Sequence, residues 1–171
     1  MFRYIHAFLI TFATLATLPT VVHAHTSPIA TIEVSLVRDD GRTFAHFNYD
    51  GRHDPGVWRR YVQAEHHARY RIRLRNNTPN RIGIVVAVDG RNAISGNRST
   101  LTRSESMYVL SGYQTQWIDG WRTNLHNVRR FLFTDPGNSY AGAFGDESAM
   151  GVVAVAAYGE ARRPVSVISK R

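Results

Sequence analysis

The chain has 171 residues, of which 43% are hydrophobic and 20% are charged, a composition typical of a globular protein and unlike that of a disordered or collagen-like chain. It contains no cysteine, which excludes disulfide scaffolds, thiolate metal sites and cysteine nucleophiles. Its 21 Lys and Arg residues outnumber 13 Asp and Glu residues, giving a net charge of +8. Every basic residue except Lys170 is an arginine. Two explanations are open: the bias reflects codon usage, or the protein has an anionic partner that arginine binds through bidentate hydrogen bonds.

Residues 1–24 have the three-part layout of a secretory signal peptide. A basic start at Arg3 is followed by an uncharged run over 7–18 and then by small residues at positions 22 and 24. The run is shorter than the ~20 residues that a membrane-spanning helix needs, and no later stretch is apolar enough to span a bilayer. We therefore expect cleavage after Ala24, export to a periplasm or beyond, and a single domain over 25–171.

Beyond the leader, apolar and polar residues alternate with a period of two, which is typical of β-strands. The predicted strands, in chain order, are 29–38, 43–49, 69–75, 82–89, 92–95, 107–110, 115–118, 130–134, 151–159 and 165–168. The segment 58–65 fits either a strand or a short helix. The first two strands are predicted to form a hairpin, and Asp119-Gly120 is predicted to be a turn.

Two of these segments carry the most information. In 69–75, arginines alternate with Tyr70, Ile72 and Leu74, so one side of the strand faces the core and the other forms a row of guanidinium groups. The segment 82–89 is almost continuously apolar, which predicts a central strand covered on both faces. The segment 151–159 is predicted to be a second buried strand. With about eight to ten short strands and no amphipathic helix, the sequence predicts an all-β fold, an antiparallel β-sandwich or jelly roll.

The second half of the chain resembles a group of exported proteobacterial proteins that have no assigned activity. The resemblance rests on VAVDGRNAISG (86–96), MYVL (107–110), IDGWR (118–122), VRRFLFT with SYA (128–141) and GVVAVAAYGE (151–160). It extends over about 69–160 and implies export and a common domain. It implies no catalytic residues.

Reaction motifs are missing from the sequence. There is no Gly-x-Ser-x-Gly elbow, no Ser-x-x-Lys, no His-Glu-x-x-His, no phosphate loop and no dinucleotide fingerprint. Since a fold alone never implies a reaction, we favour a binding protein over an enzyme.

A copper-binding protein, with or without oxidative activity, is the alternative. Cleavage after Ala24 would expose His25, whose α-amine and imidazole resemble the histidine brace of lytic polysaccharide monooxygenases and some periplasmic copper carriers. A further imidazole would have to come from His46, His53, His66, His67 or His126. The segment TSPIATIE after His25 matches neither family, so we predict no metal and no cofactor. If His66 and His67 lie in a strand, they point to opposite faces, which argues against a site built from that pair. Calcium is not expected either, because Asp135, Asn138, Asp146 and Glu147 lack the spacing of an EF-hand loop.

Two features support binding. The first is the row formed by Arg69, Arg71, Arg73 and Arg75, which either follows an anionic polymer or is an ordinary solvated face. The second is the group Tyr113, Trp117, Trp121 and Arg122, whose aromatic rings either stack on a sugar or peptide or belong to the core. The expected partner is an anionic envelope component, a glycan or lipid headgroup, or a protein. Export and the lack of a recognition helix argue against nucleic acid. A third hypothesis is a structural subunit that pairs through an edge strand.

Overall fold

The computed structural model describes residues 31–51, 54–124, 127–139, 142–145 and 148–160. Its strands are β1 (Ile32–Arg38), β2 (His46–Asn48), β3 (Arg60–Val62), β4 (Arg69–Asn76), β5 (Ile82–Val88), β6 (Arg91–Asn92), β7 (Tyr108–Leu110), β8 (Thr115–Ile118), β9 (Gly120–Arg122), β10 (Val128–Leu132) and β11 (Val153–Gly159). Two 3-10 turns, Pro136–Asn138 and Gly142–Phe144, are the described helical elements. No helix in this part of the chain is long and apolar enough to cross a membrane. The predicted signal peptide over 1–24 and the predicted strand over 165–168 both lie outside the described residues.

Strands β4 and β5 are the centres of two antiparallel sheets with the same plan. Strand β4 pairs with β1 along one edge. Along its other edge it pairs first with β10 and then with β8. Strand β10 also pairs with β9. Strand β5 pairs with β11 along one edge and with β6 and β7 along the other. A third sheet is formed by β2 and β3. The predicted all-β, sandwich-like fold and the central position of β5 are confirmed.

The core lies where the inward faces of β4 and β5 meet. Tyr70, Ile72 and Leu74 of β4 belong to one buried cluster with alternate residues of β5, Ile84 and Val86 among them. These residues can share one core because residues two apart in a strand lie on the same face. Full burial of a side chain of this size contributes about 1.5–3 kcal/mol, so these two strands account for much of the stability of the fold.

Not every strand has the predicted environment. Val85 and Ala87, on the second face of β5, are also buried, as the apolar run predicted. Strand β11 is only partly buried, although 151–159 was predicted to be a buried strand. Within the described residues it pairs with β5 alone, so it lies at an edge of its sheet.

The first predicted hairpin is present only beside its turn. Val37 pairs with Thr43, the N–H of Arg38 donates to the carbonyl of Arg42 at 2.8 Å, and the N–H of Phe44 donates to the carbonyl of Leu36 at 3.3 Å. All seven residues of β1 pair with β4 along its other edge. Strand β2 does not continue the pairing with β1 but pairs with β3, which settles the ambiguous segment 58–65 as partly strand. The turn chemistry therefore predicted the start of this hairpin, and the rest of the segment 43–49 leaves β1 for a separate ribbon.

Asp119-Gly120 is not a simple turn either. Gly120 lies in β9, directly opposite Arg130 of β10, while the preceding strand β8 pairs with β4. A Cβ atom at Gly120 would lie 2.0 Å from the carbonyl oxygen of Arg129. A glycine is therefore required for the two backbones to approach this closely at the point where the chain passes from one neighbour to the next.

The polar stretch after β6 is organised around one carboxylate. Glu105 accepts hydrogen bonds from Ser99 Oγ (2.7 Å) and from the backbone N–H groups of Thr100 and Thr102 (both 2.9 Å). Its Oε2 also accepts from Nδ2 of the buried Asn92, at 3.2 Å. Partial burial raises the pKa of the Glu105 carboxyl, but these hydrogen bonds together outweigh it and hold the pKa at about 2.

Glu105 should therefore make stability depend on pH in the acid range. Its pKa is lower in the folded chain than its ordinary value of 4.5, so its contribution is present above that value and is lost as the pH falls towards 2. We expect Glu105→Gln to be less stable than wild type at pH 7, and to lose less stability between about pH 5 and pH 2. Urea denaturation across this range measures both. Parallel losses in the two proteins would show that another group is responsible.

Candidate anion-binding face

The arginine row lies on the outer side of the first sheet. Its four members, Arg69, Arg71, Arg73 and Arg75, alternate along β4 with buried residues, as the strand pattern predicted. Strand β4 has neighbours on both edges, so its backbone is fixed and its side chains project from a rigid support. We call the surface formed by these four arginines and Trp117 the basic face.

One arginine of the basic face is paired with a carboxylate. Nη2 of Arg73 lies 2.6 Å from Oε1 of Glu33 on β1, and 3.4 Å from Oγ of Ser35. Both charged side chains are partly exposed, 37% for Arg73 and 43% for Glu33, so water screens the pair. An ion pair of this kind contributes about 0–1 kcal/mol to stability. Because its charge is paired with Glu33, Arg73 links β4 to β1 and is not a free cation.

Arg71 is held by an aromatic ring. Its guanidinium carbon lies 4.2 Å from the ring centroid of Trp117, which is itself directly opposite Arg73 in the register of β4 and β8. Stacking uses the plane of the guanidinium group and leaves N–H groups at its edge able to donate. The Nε atom of Arg71 is buried and has no hydrogen-bond partner among the described residues. The ring therefore orients this cation without neutralising it.

The remaining charges decide the sign of the surface. Arg69, Arg71 and Arg75 form no ion pair with any described carboxylate. Arg130 of β10 lies next to this face but pairs with Asp39. Three of the four cations of the row are thus without an ion pair within the described part of the chain, and they attract anions.

The second predicted group is not brought together as a site. Trp121 is only 8% exposed and packs edge-on against Phe131, with ring centroids 5.6 Å apart, so the prediction that it stacks on a ligand is corrected: it is a core residue. Arg122 is exposed at the end of β9, and its N–H donates to the carbonyl of Ala93. Tyr113 is 59% exposed, in the turn between β7 and β8. Trp117 is the member of this group that joins the arginine row.

The histidines do not form a metal site in the described residues. His66 and His67 lie in a turn, outside any strand, with their rings stacked at 3.9 Å, and His66 Nε2 is 3.2 Å from Asp135. The argument that a strand separates them therefore does not apply. No group of three or more His, Asp or Glu side chains able to hold a metal occurs in this part of the chain. His25, His53, His126, Asp146 and Glu147 lie outside it.

The second sheet carries a cavity of about 400 Å³ on its outer side. Met107 fills the space over Gly83, where a Cβ atom would lie 2.3 Å from its Sδ. At the rim Arg81 pairs with Glu160, and the guanidinium carbon of Arg103 lies 5.1 Å from the ring centroid of Tyr158. Arg81 is thus ion-paired, and of these two cations Arg103 alone has no carboxylate partner among the described residues. The basic face has three such arginines and is therefore the stronger anion site.

Sequence reasoning missed the aromatic residues on the β2–β3 hairpin. Phe47, Trp58 and Tyr61 are each about 60% exposed. Phe47 and Tyr49 are two positions apart, and this spacing was the available signal, since it places them on one side of a strand.

Comparison with known proteins gives no further guide to the site: no family model, no curated protein and no solved structure matches this chain.

Proposed function

We propose that this protein is exported and binds an anionic envelope component through its basic face. The ligand group is a phosphate or carboxylate, carried by a glycan or by a lipid headgroup. One observation carries the proposal: Arg69, Arg71 and Arg75 project from a rigid central strand without a carboxylate partner among the described residues. Binding, and not catalysis, is the function that such a surface supports.

The geometry of the row suits a repeating anion. Alternate residues of a strand are ~6.6–7 Å apart, so four arginines extend for about 20 Å along β4. The guanidinium groups of Arg69, Arg71 and Arg75 can each form two parallel hydrogen bonds to one phosphate or carboxylate. Trp117 and Glu33 position Arg71 and Arg73, which reduces the side-chain entropy that binding would otherwise cost. A surface of this kind favours an extended polyanion or an anionic lipid layer over a single small anion.

Co-sedimentation of the purified protein with vesicles tests the proposal. We expect binding to phosphatidylcholine vesicles that contain phosphatidylglycerol, little binding to phosphatidylcholine alone, and release as NaCl is raised from about 50 to about 500 mM. Alginate, a soluble polycarboxylate glycan, serves as the competitor. Displacement by alginate at low concentration assigns the site to glycans, and resistance to it assigns the site to lipid. Binding that ignores both lipid charge and salt would refute the proposal.

Export has its own expected outcome. Protein recovered from a periplasmic extract should begin at His25-Thr26-Ser27, because the small residues at positions 22 and 24 define the cleavage site. N-terminal sequencing or intact mass measures this directly. Recovery of an intact Met1 in the membrane fraction would contradict export as a processed protein.

A further inference from the structure

The β2–β3 hairpin forms a sheet separate from the two that enclose the core. Its ladder extends one step further, because the N–H of Gln63 donates to the carbonyl of Ala45 at 2.9 Å. The hairpin is anchored at its base, where Phe44 is 2% exposed and packs edge-on against Phe133 with ring centroids 5.2 Å apart. It is therefore an arm fixed at one end.

One side of this arm is lined with aromatic rings. Phe47 is directly opposite Tyr61, and each is 59% exposed. The ring centroid of Tyr49 lies 5.9 Å from that of Tyr61, at an interplanar angle of 54°. We call the surface formed by these three residues the aromatic face. The rings of Tyr49 and Tyr61 are tilted and not stacked flat, so Tyr61 stays exposed beside the half-buried Tyr49.

The position of Tyr49 is set by the backbone. A Cβ atom at Gly51 would lie 2.2 Å from the Tyr49 hydroxyl oxygen and 2.3 Å from Cζ, so the bare glycine backbone lies against the ring. The guanidinium carbon of Arg59 also lies 5.6 Å from the ring centroid, so Gly51 and Arg59 fix the Tyr49 ring, and the exposed ring surface belongs to Phe47 and Tyr61. Exposed apolar side chains gathered in one patch mark an interaction site, and here the patch is also held in place.

The charges around the aromatic face are balanced. Nη2 of Arg59, on the same side of the arm, lies 2.7 Å from Oδ2 of Asp54. Arg60 is opposite Asn48 and so points to the other side of the strand. The aromatic face thus differs from the basic face, because it offers rings and hydroxyl groups and no excess of positive charge. An anionic ligand or an anionic lipid layer would gain nothing from it.

We infer that the aromatic face binds an uncharged saccharide chain. A sugar ring presents an apolar C–H surface that packs on an aromatic ring, and hydroxyl groups that exchange hydrogen bonds with Tyr hydroxyls and with Gln63 beside Tyr61. Phe47 and Tyr61 lie side by side across the ribbon and offer their exposed rings to neighbouring sugars of a linear chain, with Tyr49 next to them. The inference does not depend on the basic face, since it rests on other residues and on a different chemistry.

The test uses isothermal titration of the whole protein with cellohexaose and chitohexaose, two uncharged linear oligosaccharides. We expect at least one to bind, with an affinity that is unchanged between about 50 and 500 mM NaCl because no charge contact is involved. Tyr61→Leu removes the ring but keeps apolar bulk, and should weaken binding about tenfold; Phe47→Leu should do the same. Tyr61→Phe keeps the ring and should stay within about threefold of wild type.

Val152→Ala is the matched control, because this residue is also exposed and apolar but lies outside the hairpin. Circular dichroism confirms that each variant is folded. Failure of both oligosaccharides to bind would overturn the inference, and so would equal binding by Tyr61→Leu and wild type. Association with neutral phosphatidylcholine vesicles that is lost in the Leu variants, without saccharide binding, would make the face a membrane contact instead. None of these results alters the test of the basic face, which depends on salt and on anionic probes.

Discussion

Replacing Arg69, Arg71 and Arg75 together with glutamine should weaken binding to phosphatidylglycerol-containing vesicles by about 100-fold at physiological ionic strength. Each arginine near an anionic surface contributes about 1 kcal/mol, and about 1.4 kcal/mol corresponds to a factor of ten. The loss should shrink as salt is added, because exposed charges are screened over roughly 8 Å at this ionic strength. Vesicle co-sedimentation against lipid concentration measures the change.

The triple variant should remain folded. Exposed strand positions usually change stability by about 0.5 kcal/mol or less, and the stacking of Arg71 on Trp117 adds about 0.5–1 kcal/mol at an exposed site. Arg73 is left in place because its ion pair with Glu33 links β4 to β1. Far-UV circular dichroism and thermal unfolding separate a loss of binding from a loss of fold.

A second triple variant with the same change in net charge serves as the control. It distinguishes loss of the basic face from a general effect of lower net charge on vesicle binding. Arg42, Arg60 and Arg129 are exposed and lie outside β4: Arg42 follows β1, Arg60 is in β3, and Arg129 alternates with Arg130 along β10. Replacing all three with glutamine should reduce vesicle binding far less than the first triple variant. If the two triple variants lose binding equally, the arginines of β4 form an ordinary solvated face and the proposed function fails.

Local patterns in the sequence predicted the strands well but not their partners. The alternation in 69–75 and the apolar run over 82–89 identify β4 and β5, because the spacing of apolar residues within a segment predicts which of its faces are buried. Pairing depends on contacts between residues far apart in the chain. Arg73 and Glu33 are 40 positions apart, and no local signal shows that β1 passes over β2 and β3 to reach β4.

The dependence on long-range pairing also explains why the sequence does not distinguish the two tryptophans. Trp117 and Trp121 are four positions apart, and from the sequence either one could bind a ligand. Strand β8 pairs with β4 and turns its Trp outward beside the arginines, whereas β9 pairs with β10 and turns its Trp against Phe131. Gly120 allows this change of partner, but its role is visible only once the carbonyl of Arg129 is seen beside it.

Asn76→Ala should be among the most destabilising single substitutions in the protein. Asn76 ends β4 and is fully buried. Its Nδ2 donates to the carbonyl of Asn80 at 2.7 Å and to that of Ser111 at 2.9 Å, while its Oδ1 accepts from the N–H and the hydroxyl of Thr78. One side chain thus shapes the turn after β4 and ties it to the end of β7, which belongs to the other sheet.

Removing the amide leaves these partners without a replacement inside the protein. Leaving a buried donor or acceptor unsatisfied costs about 1–3 kcal/mol, so we expect a total loss of about 3 kcal/mol and a fall in Tm of about 10 °C. Asn80→Ala is the control, because it keeps the backbone carbonyl that Asn76 uses and changes only an exposed side chain. Urea and thermal denaturation measure both variants. Equal stability of the two would mean that water replaces the amide and that the link between the sheets is carried by apolar packing alone.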